Sequence, residues 1–263
     1  MAQTSTPISD ALLRVEGVSV RFGGIVALDG VSFEVQRGQI AGLIGPNGAG
    51  KTTLFNCLSR LYACQEGRIT FGSTNLLAVP QHAVAGLGIG RTFQNLALFA
   101  SMSVLGNVMV GRHSRTGSGV AANALRLPHT GREWQATEAR ARELIHLLDL
   151  DAVAEVPVAA LPFGTKKRVE LARALAGDPT LLLLDEPASG LNHDEVNGLA
   201  RLIREVRDRF QLTVLLVEHH MGLVMGISDK VVALNFGRKI AEGTPAEVGA
   251  HPAVVEAYLG AAA

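Results

Sequence analysis

Apolar and polar residues alternate along two runs near the start of the chain, residues 12–22 and 27–35. Two glycine-containing pairs interrupt the alternation, Gly23-Gly24 between the runs and Asp29-Gly30 inside the second. Alternation is typical of strands that bury one face, and glycine pairs are typical of the turns between such strands. The N-terminal part of the chain is therefore predicted to form antiparallel strands and hairpins, with a break at Asp29-Gly30.

Beyond these strands, short apolar runs alternate with segments of helical periodicity. The apolar runs at residues 39–45, 180–186 and 212–218 predict buried strands. A helix is predicted at residues 52–61. Another is predicted between the last two strands, where apolar side chains recur at helical spacing: Val196, Leu199, Ile203, Val206 and Phe210. Buried strands that alternate with helices predict a parallel sheet covered on both faces.

Several further elements are predicted around this frame. A strand pair is predicted at residues 67–73 and 88–94, with a short helix between them at about residues 80–87. Residues 230–243 predict a hairpin, and a final helix is predicted near residues 253–259.

The segment from about residue 95 to 165 interrupts the α/β pattern. It contains a loop rich in glycine and serine around residues 116–119, and then a run with apolar residues at helical spacing: Ala141, Leu144, Ile145 and Leu148. We interpret this segment as a helical insertion. Its apolar first half is expected to face a partner, with Phe99 and Val104 at the surface.

A glycine-rich loop stands between the predicted strand at 39–45 and the helix that follows it. The loop matches the motif G-x-x-x-x-G-K-[ST] at every specified position with Gly45, Pro46, Asn47, Gly48, Ala49, Gly50, Lys51 and Thr52. Glycines let successive backbone N–H groups point at phosphates, and the helix N-terminus adds partial positive charge. The motif predicts that Lys51 reaches the β- and γ-phosphates of a nucleotide and that the Thr52 hydroxyl is a ligand of Mg²⁺.

Two adjacent carboxylates end the apolar run LLLLDE. A nucleotide site also needs carboxylates that hold magnesium and orient water, and the end of a buried strand is where such residues are placed. Asp185 is the predicted Mg²⁺ ligand, through water, and Glu186 is the predicted general base.

The phosphate loop is shared by GTPases, small-molecule kinases and ATPases. The motif therefore does not indicate which nucleotide base is bound. GTPases read guanine through [N/T]-K-x-D. None of the lysines in this chain, at positions 51, 166, 167, 230 and 239, has an aspartate two residues later. The main sequence evidence for guanine specificity is therefore missing.

Composition limits which classes of binding partner and which cellular compartment we expect for this chain. The 263 residues include 24 Lys and Arg against 24 Asp and Glu, so no nucleic acid is expected to be held by charge. The N-terminus lacks the features of a secretory signal, and no apolar run approaches the ~20 residues that a membrane span needs. We expect the chain to stay in the cytoplasm. Cys57 and Cys64 have no CxxC spacing and no paired histidine, so they are interpreted as buried or inert thiols.

Between the two nucleotide motifs stands the sequence LPFGTKKRVELARALAGDPTLLLLDEPASGLN. At this point the chain resembles an ATP-binding cassette, the nucleotide-binding subunit of ABC transporters, from Leu12 to Leu259. The resemblance implies ATP and Mg²⁺ as cofactors and ATP hydrolysis as the activity. The implied fold class is α/β, a P-loop NTPase (RecA-like) core with a mostly parallel sheet, an N-terminal antiparallel β subdomain and a helical insertion subdomain.

The resemblance also implies how this single domain, residues 1–263, is divided. Residues 12–94 and 166–240 would form the nucleotide-binding α/β core. Residues 95–165 would form the helical subdomain that carries the signature motif, and residues 241–263 a C-terminal helix.

The family's signature, ideally LSGGQ, falls on Leu161, Pro162, Phe163, Gly164 and Thr165. In the family this motif opens a helix whose N-terminus contacts the γ-phosphate bound by the other subunit, so two ATP molecules lie between two cassettes. The loop that crosses to the partner is matched by Ser189, Gly190, Leu191 and Asn192, with Asn192 where many cassettes have aspartate.

The signature departs from the ideal at two places. Pro162 replaces a serine whose hydroxyl would donate to the γ-phosphate, and proline also lacks the N–H. Thr165 replaces glutamine. The departures weaken the match to the family's γ-phosphate contact, although proline is favoured at the start of a helix.

Other positions match the family one at a time. Phe22 occupies the place of the aromatic residue that stacks on adenine, and Thr53 directly follows the phosphate loop in the same ATP site. Gln94 matches the glutamine that contacts Mg²⁺ and its water. His219 matches the switch histidine that hydrogen-bonds the γ-phosphate, whereas His220 is expected to be a bystander.

The stretches RFGGIVALDGVSFEV, IGRTFQN, EHHMGLVMGISDKVVALNFG and AYLG resemble the ATPase subunit of branched-chain amino acid importers. Similar cassettes serve importers of urea, amides or aromatic acids. The implied partners are a second ABC ATPase subunit, identical or related, integral membrane permease subunits and, indirectly, an extracytoplasmic substrate-binding protein. The implied location is the inner face of the cell membrane.

An alternative is a cassette that energises an assembly or repair process without transport. Repair cassettes carry long coiled-coil insertions, but only 113 residues separate Lys51 from Gly164 (164 − 51), without sustained heptads. Assembly cassettes are not excluded by size.

Overall fold

The N-terminal strands form an antiparallel sheet of their own. In the computed structural model, which describes residues 11–115 and 128–259, this sheet contains β1 (Ala11–Phe22), β2 (Ile25–Gln36), β4 (Glu66–Phe71) and β5 (Thr74–Asn75) in the order β2-β1-β4-β5. Leu13 and Val15 are buried and the intervening Arg14 is not, which is the alternation that the sequence shows. The predicted N-terminal antiparallel sheet is confirmed.

The predicted break at Asp29-Gly30 is wrong, because β2 continues through both residues. Val18 of β1 pairs with Val31, whereas Val20 pairs with Leu28, so β2 has one extra residue between these pairs. Gly30 has a φ of 65°. The glycine therefore forms a bulge inside the strand and not a turn between strands.

A six-stranded sheet forms the centre of the structure. Its strands are β3 (Ile40–Ile44), β6 (Ile89–Arg91), β7 (Leu181–Asp185), β8 (Thr213–Val217), β9 (Lys230–Asn235) and β10 (Arg238–Gly243), in the order β10-β9-β3-β8-β7-β6. Neighbouring strands are parallel except in the predicted β9-β10 hairpin. β3, β7 and β8 are buried along their whole length, which explains their continuous apolar sequences.

The predicted pairing of the strands at 67–73 and 88–94 is wrong. β4 belongs to the antiparallel sheet beside β1, and β6 is the edge of the parallel sheet beside β7. Between them, the short helix predicted at about residues 80–87 is present as two 3₁₀ helices, Gln81–Ala83 and Ala85–Leu87. Alternation along a strand indicates a buried face, but it does not indicate which sheet the strand joins.

Helices cover the central sheet. They are α1 (Lys51–Leu58), α2 (Val104–Val110), α3 (Pro128–Leu147), α4 (Phe163–Leu175), α5 (His193–Phe210), α6 (Met221–Ile227), α7 (Pro245–Gly249) and α8 (Pro252–Leu259). The expected helical segment 241–263 thus opens with the end of β10 and continues with two short helices. The predicted loop at 116–119 lies outside the described residues. Within the described ranges, no helix is both long and apolar enough to cross a membrane.

Two hydrophobic clusters lie on opposite faces of the central sheet. Along β8, Val214 and Leu216 belong to a cluster with α2 to α5, whereas Leu215 and Val217 belong to a cluster with α1 and the antiparallel sheet. Phe55 of α1 is fully buried in the second cluster. The predicted parallel sheet with both faces covered is confirmed, and the C-terminal ends of its strands carry the residues described next.

Candidate nucleotide-binding and hydrolysis site

The phosphate loop joins the buried end of β3 to the N-terminus of α1. Gly48 and Gly50 have φ values of 78° and 101°, in the left-handed region that favours glycine. A Cβ atom on Gly50 would lie 2.6 Å from the Ala27 carbonyl oxygen, so its position also excludes a side chain. Both positions therefore favour glycine, and the turn that they allow is the kind in which phosphate loops direct N–H groups at an anion.

Lys51 is buried at the start of α1, while Thr52 is exposed and Thr53 is half-buried. The Lys51 Nζ donates hydrogen bonds to the carbonyl oxygens of Gly45 and Pro46, at 2.6 and 2.9 Å. Burial lowers the pKa of Lys51, and the nearby Glu186 and Asp185 carboxylates oppose that shift. An ammonium in this position can exchange carbonyl partners for phosphate oxygens.

Asp185 ends β7 as a buried carboxylate with only one of its two oxygens paired. Its Oδ2 accepts a hydrogen bond from the Arg91 guanidinium at 2.8 Å. Its Oδ1 is buried and has no hydrogen-bond partner among the residues that the structure describes. Burial raises the pKa of Asp185, and the Arg91 guanidinium opposes that shift. The unpaired oxygen leaves a place for a ligand that donates, such as metal-bound water.

Glu186 follows directly, and two other predicted site residues, Gln94 and His219, lie close to its side chain. The Gln94 amide nitrogen donates to Glu186 Oε2 at 3.0 Å, and the His219 Nδ1 lies 3.7 Å from the same oxygen. Glu186 has a φ of 46°, which is unusual for a residue with a side chain. Gln94, Glu186 and His219 come from three distant parts of the sequence, and their meeting defines a centre where water could be activated.

Glu218, to which the sequence analysis gave no role, is fully buried at the end of β8. Its carboxylate accepts hydrogen bonds from the backbone N–H groups of Ala188, His219 and His220, at 2.7, 3.0 and 3.1 Å. Glu218 therefore fixes the turn after Glu186 and the backbone of His219 at once. The available signal was a carboxylate directly at the end of a buried apolar strand, the same signal that indicated Asp185.

Helix α4 supplies a second set of contacts that the sequence analysis missed. The Lys167 Nζ donates a hydrogen bond to the Glu186 carbonyl oxygen at 3.4 Å. The carboxylate of the buried Glu170 accepts a hydrogen bond from the Phe93 N–H at 3.0 Å. Arg173 donates to the Ala97 carbonyl oxygen. Burial raises the pKa of Glu170, although the Phe93 N–H, Lys167 and Arg173 oppose that shift. One helix thus holds both the Glu186 turn and the segment around Gln94.

The signature residues lie at the start of α4, against the loop at residues 189–192 of the same chain. Pro162 is the N-cap residue of α4 and makes no side-chain capping hydrogen bond. A Cβ on Gly190 would lie 2.8 Å from the Phe163 ring. Asn192 caps α5 in a reciprocal capping box with Glu195, so this residue has a structural role besides any contact with a partner.

Phe22 lies at the end of β1 with 46% of its surface exposed. The Tyr62 ring packs edge-on against it, with ring centroids 5.1 Å apart. An exposed aromatic ring held by a second ring can offer its face to a base. Tyr62 is a ring contact of Phe22 that sequence reasoning did not identify, because the two residues are distant along the chain.

Two expectations outside the nucleotide site are refined by the structure. Val104 is fully buried, because it opens α2 and packs in the core, so the expectation that it lies at the surface is wrong. Phe99 is 51% exposed. His220 caps α6 by accepting the Leu223 N–H at Nδ1, which gives this residue a local structural role.

The fold and this geometry define a P-loop ATPase of the cassette type, and comparisons with known proteins support that class. Residues 28–189 match the ABC transporter family, and residues 238–263 match the branched-chain amino acid ATP-binding cassette transporter family. The chain therefore belongs to the ABC transporter family of ATP-binding proteins, which hydrolyse ATP to drive transport.

Curated relatives cover nearly the whole chain. The chain is 41% identical to the high-affinity branched-chain amino acid transport ATP-binding protein LivG of Salmonella typhimurium, over 97% of this chain and 100% of the relative. It is 39% identical to BraF of Pseudomonas aeruginosa with the same coverage. These relatives support the importer prediction and not the assembly or repair alternative.

A solved structure shows the same architecture. The ADP conformation of MJ1267, an ATP-binding cassette of an ABC transporter, superposes with a TM-score of 0.82 at 30% sequence identity, covering 95% of this chain and 99% of that one.

Proposed function

We propose that the ATP hydrolysed by this chain energises the import of branched-chain or related amino acids through separate membrane subunits. The observation that carries this proposal is the 41% identity to LivG over the whole length of that protein, whose name gives high-affinity branched-chain amino acid transport. The match of residues 238–263 to the branched-chain amino acid cassette family supports the same substrate class.

In the proposed hydrolysis, Glu186 is the general base. Its Oε2 would accept a proton from water as the water oxygen attacks the γ-phosphorus and the bond to the ADP oxygen breaks. The Gln94 and His219 side chains lie near that same oxygen, at 3.0 and 3.7 Å, and would orient the water and the γ-phosphate. Lys51 would hold the β- and γ-phosphates.

Magnesium fits the residues at the end of β7. The unpaired, buried Asp185 Oδ1 is an acceptor that a metal-bound water would satisfy, and oxygen donors are the ligands that Mg²⁺ prefers. Thr52 and Gln94 would complete the protein part of the site. The ion would neutralise charge on the phosphates during transfer.

The proposed working form contains two cassettes. Leu161, Pro162, Phe163, Gly164 and Thr165 of one subunit would contact the γ-phosphate bound by the other. The position of this motif at the N-terminus of the 13-residue helix α4 supports the proposal, because N–H groups at a helix N-terminus attract phosphate.

The proposed permease-facing surface lies in the segment 95–160. A groove of about 320 Å³ borders this segment; its lining includes Phe99 and Val110 of the segment, and Phe93 and Arg173 from outside it. All three apolar residues are partly exposed, and apolar side chains around a groove are typical of protein interfaces. Through this surface the subunit would sit on the inner face of the cell membrane, and the permease with its extracytoplasmic binding protein would select the substrate.

Uptake measurements test the substrate class. Cells that carry this chain with its own permease and binding protein should accumulate labelled leucine, isoleucine or valine, and cells with Glu186→Gln should not. Uptake of urea or an amide in place of these amino acids would overturn the substrate proposal while leaving ATP-driven import intact.

A further inference from the structure

The C-terminal helix contacts the nucleotide site through a single hydroxyl group. Tyr258 of α8 accepts a hydrogen bond from the backbone N–H of Gly45 at 2.9 Å, although 213 residues separate the two along the chain. Gly45 is the first residue of the phosphate loop. The bond therefore joins the last helix of the protein to the point where β3 turns into that loop.

Gly45 has little freedom to find another arrangement. A Cβ on this residue would lie 2.3 Å from the Leu234 carbonyl oxygen, so its backbone is pressed against β9. Its own carbonyl oxygen accepts the hydrogen bond from Lys51 Nζ at 2.6 Å. One residue is thus held by Tyr258 at its N–H and by the phosphate-binding lysine at its carbonyl.

Tyr258 is itself held in place. Its ring packs against the hydrophobic cluster that lies between the central sheet and α2 to α5. Val254, one turn earlier on α8, is buried. Burial raises the pKa of Tyr258, so the hydroxyl stays neutral at physiological pH. A neutral hydroxyl on a packed ring is a fixed acceptor for one backbone N–H.

We propose that Tyr258 is a positioning residue for nucleotide binding, which keeps the start of the phosphate loop in its binding-competent arrangement. Without the hydroxyl, the Gly45 N–H would lose its partner, and the loop would relax to find another. If only a fraction of molecules then holds the competent arrangement, the apparent nucleotide affinity falls by that fraction. This inference rests on the proposed ATP site at the loop.

The test is the binding of Mg-ADP to the full-length chain by titration calorimetry. We expect Tyr258→Phe to weaken binding by about 2- to 10-fold, the range that corresponds to the loss of one hydrogen bond. The KM for ATP should rise with kcat unchanged. The matched control is Thr244→Ala, which removes the side-chain cap of α7 in the same C-terminal region and does not touch the loop. This control should lower the melting temperature and keep the wild-type affinity.

Equal affinities of Tyr258→Phe and wild type would overturn the proposal, and so would an equal weakening by Thr244→Ala. Amide exchange in the wild-type chain provides a measurement that needs no variant: the Gly45 N–H should be protected, and rapid exchange would contradict the bond. If Lys51→Ala binds Mg-ADP as tightly as wild type, the ATP site is misplaced, which is a different failure from that of Tyr258.

Discussion

At the scale of single residues, the proposed hydrolytic centre contains a strained glutamate. The φ of 46° at Glu186 costs about 1–2 kcal/mol for a residue with a side chain. Two backbone hydrogen bonds hold this conformation, from the Glu186 N–H to the Val217 carbonyl oxygen at 2.9 Å and from the Ser189 N–H to the Glu186 carbonyl oxygen at 3.1 Å. Strain that surrounding bonds maintain is typical of functional sites, and here it points the carboxylate at Gln94 and His219.

Replacing this carboxylate should separate binding from hydrolysis. We expect Glu186→Gln to bind Mg-ATP with wild-type affinity and to hydrolyse it ~10²–10⁴-fold more slowly, because an amide cannot accept the proton from water. Phosphate release under saturating ATP measures the rate, and calorimetry measures the affinity. Glu205→Gln, an exposed change on α5, is the control and should behave as wild type. A Glu186→Gln rate within threefold of wild type would show that another group is the base.

At the scale of elements, α4 connects three parts of the site. Its N-terminus carries the signature, Lys167 holds the carbonyl of Glu186, and Glu170 holds the backbone beside Gln94. The family resemblance implies a helix after the signature, but it does not show that Glu170 is buried, as Val169 and Leu171 are. That position depends on the edge strand β6 and the segment after it, which local periodicity does not report.

The buried Glu170 should make stability depend on pH. Because burial raises its pKa in the folded state, the native chain binds a proton more tightly than the unfolded chain. The contribution of Glu170 is therefore fully present below its unfolded pKa and declines as pH rises through the folded value.

We expect the stability of Glu170→Gln, relative to wild type, to rise as pH increases from about 4 to 8. Urea unfolding at several pH values measures the difference, with Glu205→Gln as a surface control. A difference that stays constant over this range would show that Glu170 does not titrate as its burial implies.

The N-cap residue of α4 offers a second prediction at this scale. Pro162 caps the helix without a side-chain hydrogen bond, so Pro162→Ser should gain about 0.5–2 kcal/mol of folding stability. The serine hydroxyl should also donate to the γ-phosphate in the partner site, which would tighten ATP-driven dimerisation by roughly 10- to 150-fold. Pro162→Ala, which restores only the N–H, is the matched control.

Light scattering decides between the two effects of Pro162→Ser. All chains would carry Glu186→Gln and be saturated with Mg-ATP. If the serine and alanine variants dimerise equally, the hydroxyl does not reach the partner's nucleotide. If both also dimerise as weakly as the chain with Pro162, the change acts on helix stability alone.

At the scale of the whole molecule, the sequence predicts individual helices and strands better than the contacts between them. β3, β7 and β8 are predictable because strands buried on both faces have continuous apolar sequences. The phosphate loop, Asp185 and Glu186 are predictable because their chemistry requires fixed residues at fixed spacing. Other features are not predictable from the sequence, because each depends on residues that are distant along the chain. They are the partner strand of β4, the bulge at Gly30, and the contacts of Arg91, Glu218 and Tyr258.

The orientation of the whole subunit toward its permease provides the last prediction. Phe99 is 51% exposed and lines the groove that borders the segment 95–160, whereas Val255 is 43% exposed on α8, in the C-terminal region. The experiment uses a Cys57→Ala, Cys64→Ala background, because Cys64 is only half-buried and either native thiol could react. In this background we expect Phe99→Cys to crosslink to a membrane subunit and Val255→Cys to give no such product. Val104→Cys, at a buried position, should react only when the chain is unfolded. Crosslinks from position 255 with none from position 99 would place the permease at the opposite end of the cassette.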